Sequence, residues 1–247
     1  VNGGFGKRYP DQPGPTYSNT PAGRLAGRRW ARTVGAQPLL TTYLYNPAGD
    51  LQTVDYSDAT PDVTYGYDRL GRQVSISSGG MTLSRVYSAS GLLLAERYTG
   101  GVLSGLAVTN LYDAVLRRTN LAVWRGSSRL YSVDYRYDPA GRLAMVSDGT
   151  NAAAYSYLPQ AGLVERIRLS RSGQNRLTTT RQFDLLNRLT QISNTGGTGS
   201  TLASFSYTYN EANQRVRVDL ADGSFWIYQY DALGQVISGK RYWSDGT

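Results

Sequence analysis

Tyr137-Asp138-Pro139-Ala140-Gly141-Arg142-Leu143 is the stretch on which the fold turns. With its aromatic as the first position, related stretches begin at Tyr45, Tyr67, Tyr87, Tyr112, Tyr157, Phe183, Tyr209 and Tyr230, about every 23 residues. An earlier copy, Thr20-Pro21-Ala22-Gly23-Arg24-Leu25, has Asn19 where the aromatic belongs. These ten copies cover nearly the whole chain, so the sequence is that of a repeat protein.

The motif has the chemistry of a tight turn. Its second residue is Asp or Asn at Asn46, Asp68, Asp113, Asp138, Asp184, Asn210 and Asp231. Such side chains accept hydrogen bonds from backbone amides two residues on. Pro47 and Pro139 follow with φ set for the first corner of a type I turn. The fifth residue then requires positive φ, as in a hairpin loop made of a type I turn and a bulged residue. Gly23, Gly49, Gly71, Gly91, Gly141 and Gly234 suit that requirement, and Asn187 and Asn213 are the next most tolerant choice. The copy at Tyr112 has Leu116 there, which predicts a different turn.

Strands flank each turn. Before it, aromatics alternate, as in Tyr43 and Tyr45, Tyr135 and Tyr137, or Trp226, Tyr228 and Tyr230. A two-residue period puts each set on one face of a strand. Nine residues beyond the aromatic stand Val54, Ile76, Val146, Ile192 and Val218. Each unit therefore reads as strand, short turn, strand, then a looser turn into the next unit. Gly79-Gly80, Gly100-Gly101, Asp148-Gly149 and Asp222-Gly223 mark looser turns. The fold class is all-β, an antiparallel hairpin meander of about ten units over residues 23–247. Residues 1–22, with four Gly and four Pro, read as a loop or an edge-covering segment. Equivalent aromatics are expected to form a ladder, buried apart from their hydroxyls.

The runs Tyr67-Asp68-Arg69-Leu70-Gly71-Arg72 and Tyr137 to Leu143 resemble the YD repeat of the Rhs family, which takes in Tc toxin B and C components, polymorphic Rhs toxins and teneurins. The resemblance covers about residues 20 to 240. It implies a β-strand spiral wrapped into a hollow shell, often around a toxic C-terminal domain, in a secreted or cell-surface bacterial protein. It also implies a structural role with no chemistry of its own, and, as the alternative, carbohydrate contact or adhesion at a cell surface.

Composition narrows the functional classes. The 247 residues include 24 Arg and 15 Asp but only 2 Lys and 3 Glu, which leaves little material for solvent-facing helix. The net charge of +8 invites a nucleic-acid reading. However, Arg24, Arg72, Arg117, Arg142 and Arg188 recur at the sixth motif position. They are read as structural, each contacting a carboxylate or carbonyl of its own or the adjacent turn. No nucleic-acid partner is therefore expected. With no Cys and no His there are no disulfides, thiolates, His triads or His metal sites. No apolar run reaches the roughly 18 residues of a membrane helix.

Catalytic and metal candidates are few. Glu96, Glu165 and Glu211 have no acidic partner nearby in sequence, although distant strands could bring two carboxylates together as glycosidases require. Lys7 and Lys240 make unconvincing bases. Asp55, Asp58 and Asp62 offer oxygen ligands but fit no dedicated calcium loop, so a polar outer turn is the preferred reading. The run 194–200 lacks the Lys and the helix of a phosphate-binding loop. Neither an enzyme, nor a cofactor, nor a metal is expected.

Two sets of residues remain. The repeat turn comprises Asp68, Gly71, Arg72, Asp138, Gly141, Arg142, Asp184, Asn187, Arg188, Asn210, Asn213, Asp231 and Gly234. Trp30, Trp124, Trp226 and Trp243 could stack on a sugar ring, or could simply pack across strands. Arg28, Arg29 and Arg32 around Trp30 form the most basic and aromatic spot, where a ligand contact competes with an ordinary exposed strand face. Expected partners are further repeats of a longer chain or copies of itself, joined through open strand edges, with an enclosed toxin domain and a glycan by resemblance.

Overall fold

The structure, a computed structural model, describes residues 14–35, 37–159 and 161–247. Twenty antiparallel strands run from Thr16–Asn19 to Val236–Tyr242, with no helix among the described residues. The chain divides into two units. The first holds residues up to Arg117 with Leu121–Tyr131, and the second holds Arg118–Asn120 with Ser132–Thr247. Within each unit, strands pair with the strand before and the strand after them in sequence, which makes a meander. Of the residues expected as loop or edge segment, Thr16–Asn19 form an edge strand antiparallel to Leu25–Val34. Residues 1–13, with Lys7, lie outside the described residues.

The motif turns have one geometry. In the copy at Tyr137, the Asp138 amide donates to the Arg142 carbonyl at 2.8 Å and the Gly141 amide to the Asp138 carbonyl at 2.9 Å. The register slips between Arg136 and Tyr137, the mark of a bulge. Gly141 has φ +80, and Asn187 and Asn213 have φ +61 and +62. Leu116 departs from expectation. It sits at φ +67, and its turn closes with the same two bonds, Asp113 to Arg117 at 2.9 Å and Leu116 to Asp113 at 3.0 Å. The side chain of Asp113 accepts three bonds in that turn, so the rest of the motif holds a leucine where glycine is easier.

The connecting turns are not all looser. Leu220–Ser224 and Gly196–Ser200 close with the same pair of backbone bonds as the motif. Gly79-Gly80, both at positive φ, link paired Ser78 and Met81 as a two-residue hairpin.

Little of this protein is core. Among the described residues the buried apolar side chains are Leu39, Val54, Leu83, Ala95, Ala122 and Val218. The accessible surface is 16418 Å², against about 11,000 Å² for a globular chain of this mass. Apolar burial alone therefore holds less of this fold than of an ordinary domain, and the bonds between hairpins matter more.

Candidate functional site: the turn and tyrosine ladder

The second and sixth motif residues clasp each other. Oδ1 of Asp68 accepts the Leu70 and Arg72 amides at 2.9 and 3.0 Å, while Oδ2 accepts Nε of Arg72 at 2.7 Å. Asp113 with Arg117, Asp138 with Arg142, and Asp184 with Arg188 repeat the arrangement. Where the second residue is Asn, the sixth is an acceptor instead. Nδ2 of Asn46 donates to Asp50 at 3.2 Å, and Nδ2 of Asn210 donates to Gln214 at 2.7 Å. Asp231 keeps the amide bonds, to Leu233 and Gln235, without an Arg.

These contacts set the titration of the carboxylates. At Asp68, Asp138 and Asp184 the largest influence is desolvation, which opposes ionisation. The combined hydrogen bonds from the paired Arg outweigh it and hold each carboxyl below its ordinary value. At Asp113 the Arg117 amide is the leading cause of the same downward shift.

The same guanidinium reaches the next turn. Nη1 of Arg142 donates to the Ala161 carbonyl at 2.7 Å, that of Arg188 to Oδ1 of Asn213 at 2.7 Å, and that of Arg72 to the Ser88 carbonyl at 3.4 Å. It also lies against the next aromatic. Arg72 stands 4.7 Å from the Tyr87 ring centroid, Arg142 4.3 Å from Tyr157, and Arg188 4.9 Å from Tyr209. An Arg therefore serves two hairpins at once.

The first-position tyrosines form rungs of a kind that the sequence did not show. Each hydroxyl donates to the main-chain carbonyl of the seventh residue in the preceding copy. In the first unit Tyr45, Tyr67, Tyr87 and Tyr112 bond Leu25, Leu51, Gln73 and Leu93 at 2.7–3.1 Å. In the second unit Tyr137, Tyr157, Tyr209 and Tyr230 bond Arg118, Leu143, Leu189 and Arg215 at 2.7–2.8 Å. Phe183 occupies the equivalent place without a hydroxyl. The rings are half-buried rather than buried. The aromatic stacks are Phe225 on Tyr242 and Trp226 beside Tyr228, so the rungs are joined through Arg and carbonyls rather than ring on ring.

The remaining candidates fall apart as chemistry. Glu96 is held by Arg85 at 2.9 Å, and Arg85 also bonds Gln73. Asp58 and Asp62 accept the Thr60 and Tyr56 amides, as a polar turn does, and no metal-binding cluster occurs among the described residues. Trp30 and Trp124 are half-buried, and their indoles donate to Thr41 and Thr109 at 2.9 and 3.0 Å. Trp226 is half-buried, whereas Trp243 is 61% exposed beside Arg241. Three of the four tryptophans are therefore half-buried strand residues rather than open stacking faces. No helix of the described residues is long and apolar enough to cross a membrane.

An all-β array of hairpins, closed by Asp–Arg turns and laced by tyrosine hydroxyls, defines a class of repeat protein. The model of the RHS Repeat family matches residues 209–247, which hold the last two copies of the motif. Two curated relatives from Dickeya dadantii, named "Probable deoxyribonuclease RhsA" and "Probable deoxyribonuclease RhsB", are each 27% identical over 221 residues. The match covers 83% of this chain and only 15% of the length of either relative. Among solved structures, TcdB2-TccC3-TEV is similar at 14% identity with a TM-score of 0.38, over 92% of this chain and 15% of that one. The Photorhabdus luminescens Tc holotoxin pore is similar at 14% identity with a TM-score of 0.40, over 91% and 15%.

Proposed function

We propose that this chain is a structural wall: its repeats enclose or present another domain of a toxin-like protein and carry out no chemistry themselves. One observation carries the reading. The polar groups that recur in the repeats are spent on closing the turns and on holding neighbouring hairpins together. Oδ2 of Asp138 takes Nε of Arg142, whose Nη1 takes Ala161, while the Tyr157 hydroxyl takes Leu143. A catalytic carboxylate needs a free oxygen and a raised or poised pKa, and Asp68, Asp113, Asp138 and Asp184 have neither.

On this reading residues 23–247 act as one repeat array, since the same turn recurs in both units. Thr16–Asn19 form one edge of that array. Partners are further repeats or a second copy, joined along the strands Thr16–Asn19 and Val236–Tyr242, and the setting is secreted or at a bacterial cell surface. Limited proteolysis of the complete gene product tests enclosure. A domain flanking the repeats is expected to resist protease when joined to them and to be cut rapidly when expressed alone. Equal cutting in the two forms would refute enclosure.

A further inference from the structure

One late copy departs from its siblings at the sixth motif position. In three copies an Arg at that place covers the aromatic of the next, with Arg72 4.7 Å from the Tyr87 ring centroid, Arg142 4.3 Å from Tyr157 and Arg188 4.9 Å from Tyr209. The copy that begins at Tyr209 has Gln214 there. Oε1 of Gln214 turns back to accept Nδ2 of Asn210 at 2.7 Å. Among the described residues no guanidinium stands over the next aromatic, Tyr230. Its half-buried ring instead faces a cleft of about 520 Å³, lined also by Tyr209, Asn213, Gln214, Arg215 and Tyr228. That volume lies within the roughly 300–1,000 Å³ of small-molecule pockets.

The walls of the cleft are held in place and suit a planar cation. The Tyr230 hydroxyl donates to the Arg215 carbonyl at 2.7 Å, which fixes the ring. Arg215 has its own guanidinium committed to the Tyr207 ring, 4.2 Å from the centroid. An aromatic face attracts a cation, and a guanidinium stacks on it where an ammonium cannot. Oδ1 of Asn213 accepts Nη1 of Arg188, and Oε1 of Gln214 accepts Asn210; each oxygen keeps a second lone pair for an incoming N–H. The two flanking turns carry Glu211 and Asp231, neither of them in an ion pair among the described residues. Asp231 spends only Oδ1, on the Leu233 and Gln235 amides. Two uncompensated carboxylates thus stand against the single positive charge of Arg215.

We propose that the cleft between Tyr209 and Tyr230 is a docking site for an arginine side chain of a partner polypeptide. Its guanidinium lies on the Tyr230 ring as Arg72, Arg142 and Arg188 lie on theirs, and the oxygens of Asn213 and Gln214 accept its N–H groups. The contact that joins hairpins within the chain is here open to another molecule, which adds a binding role to the structural one.

The test is an NMR titration of the 247-residue chain with Nα-acetyl-L-arginine amide, and with Nα-acetyl-L-lysine amide as a control of equal charge. The reporters are the Gln214 side-chain amide and the Tyr230 ring signals, each assigned by its loss on substitution. The arginine compound is expected to shift both saturably and to bind more tightly than the lysine compound. The double variant Asn210→Asp with Gln214→Arg installs the pair of the sibling copies and fills the cleft from within. It should fold with an unchanged or raised Tm and weaken binding about tenfold or more, read on Tyr230. Tyr230→Leu should weaken it in the same direction, read on Gln214. No saturable shift with the arginine compound, an equal response to the lysine compound, or undiminished binding by the folded double variant would each overturn the proposal.

Discussion

Removing one tyrosine hydroxyl tests the ladder most directly. Tyr157→Phe deletes the 2.8 Å bond to the Leu143 carbonyl and keeps the ring, with Arg142 still 4.3 Å from its centroid. A net intramolecular hydrogen bond contributes about 0.5–1.5 kcal/mol. Leu143 is half-buried, so water recovers part of its carbonyl and the loss should stay near 1 kcal/mol rather than reach the cost of a fully buried orphan. For a chain of this size that corresponds to about 2–4 °C in Tm. Phe183→Tyr supplies the converse. The carbonyl of Val164, paired with Tyr157 as Leu143 is with Tyr137, is the equivalent acceptor. The added hydroxyl should be neutral or stabilising, by up to about 1 kcal/mol. Urea unfolding of both variants, followed by far-UV circular dichroism, gives the two numbers. If Tyr157→Phe matches the parent, or Phe183→Tyr destabilises, the rungs are ornament and the reasoning fails.

The other expectations concern the turns. The depressed carboxyls of Asp68, Asp113, Asp138 and Asp184 contribute stability that is complete above the unfolded carboxylate value of about 4 and is lost as pH falls through the folded values; a Tm that stays level from pH 5 to pH 2 would contradict this. Gly141→Val puts a β-branched residue at φ +80 and should cost at least about 1–2 kcal/mol in urea unfolding, while Asn187→Gly, at φ +61, should fall within about 0.5 kcal/mol of the parent. Asn46→Asp would set two carboxylates where Nδ2 now donates to Asp50 at 3.2 Å, so it should lower Tm at pH 7 and recover near pH 4; a pH-independent effect would point to backbone strain instead.

Much of the turn was legible because its demands are local. An Asx side chain, a proline corner and a residue able to take positive φ each have a short list of candidates, and they recur in register. The Arg contacts followed from residue type, since a fork of donors one place after the turn has a carboxylate four residues back and a carbonyl in the next turn within reach. The tyrosine rungs were not legible, because their acceptors are main-chain carbonyls, which every residue carries. Leu116 misled for a related reason. The conformation of that residue is set by the Asp113 and Arg117 bonds around it, and propensity at one position yields to them. The buried, unpartnered Nε of Arg28 had a signal in the sequence, an Arg where five copies have Val or Ile, which only the alignment of repeats against one another exposes.

The pairing of second and sixth residues ties the chemistry of the turn to its role. Asp is followed by Arg in four copies, whereas Asn is followed by Asp50 or Gln214, so that a donor always meets an acceptor. The two solutions close the turn equally well, yet only the first sends a cation onward to the next hairpin. The Asn copies at Tyr45 and Tyr209 therefore receive links without passing one on through this position: Arg24 lies 5.5 Å from the Tyr45 ring, and Arg188 reaches Asn213. Such copies have weaker forward connections and are the places where an array of nearest-neighbour units should open first. Opening confined to single hairpins would leave the other strands of the sheet paired. A sheet with so few buried apolar residues can tune that opening through the sixth residue alone, without repacking a core.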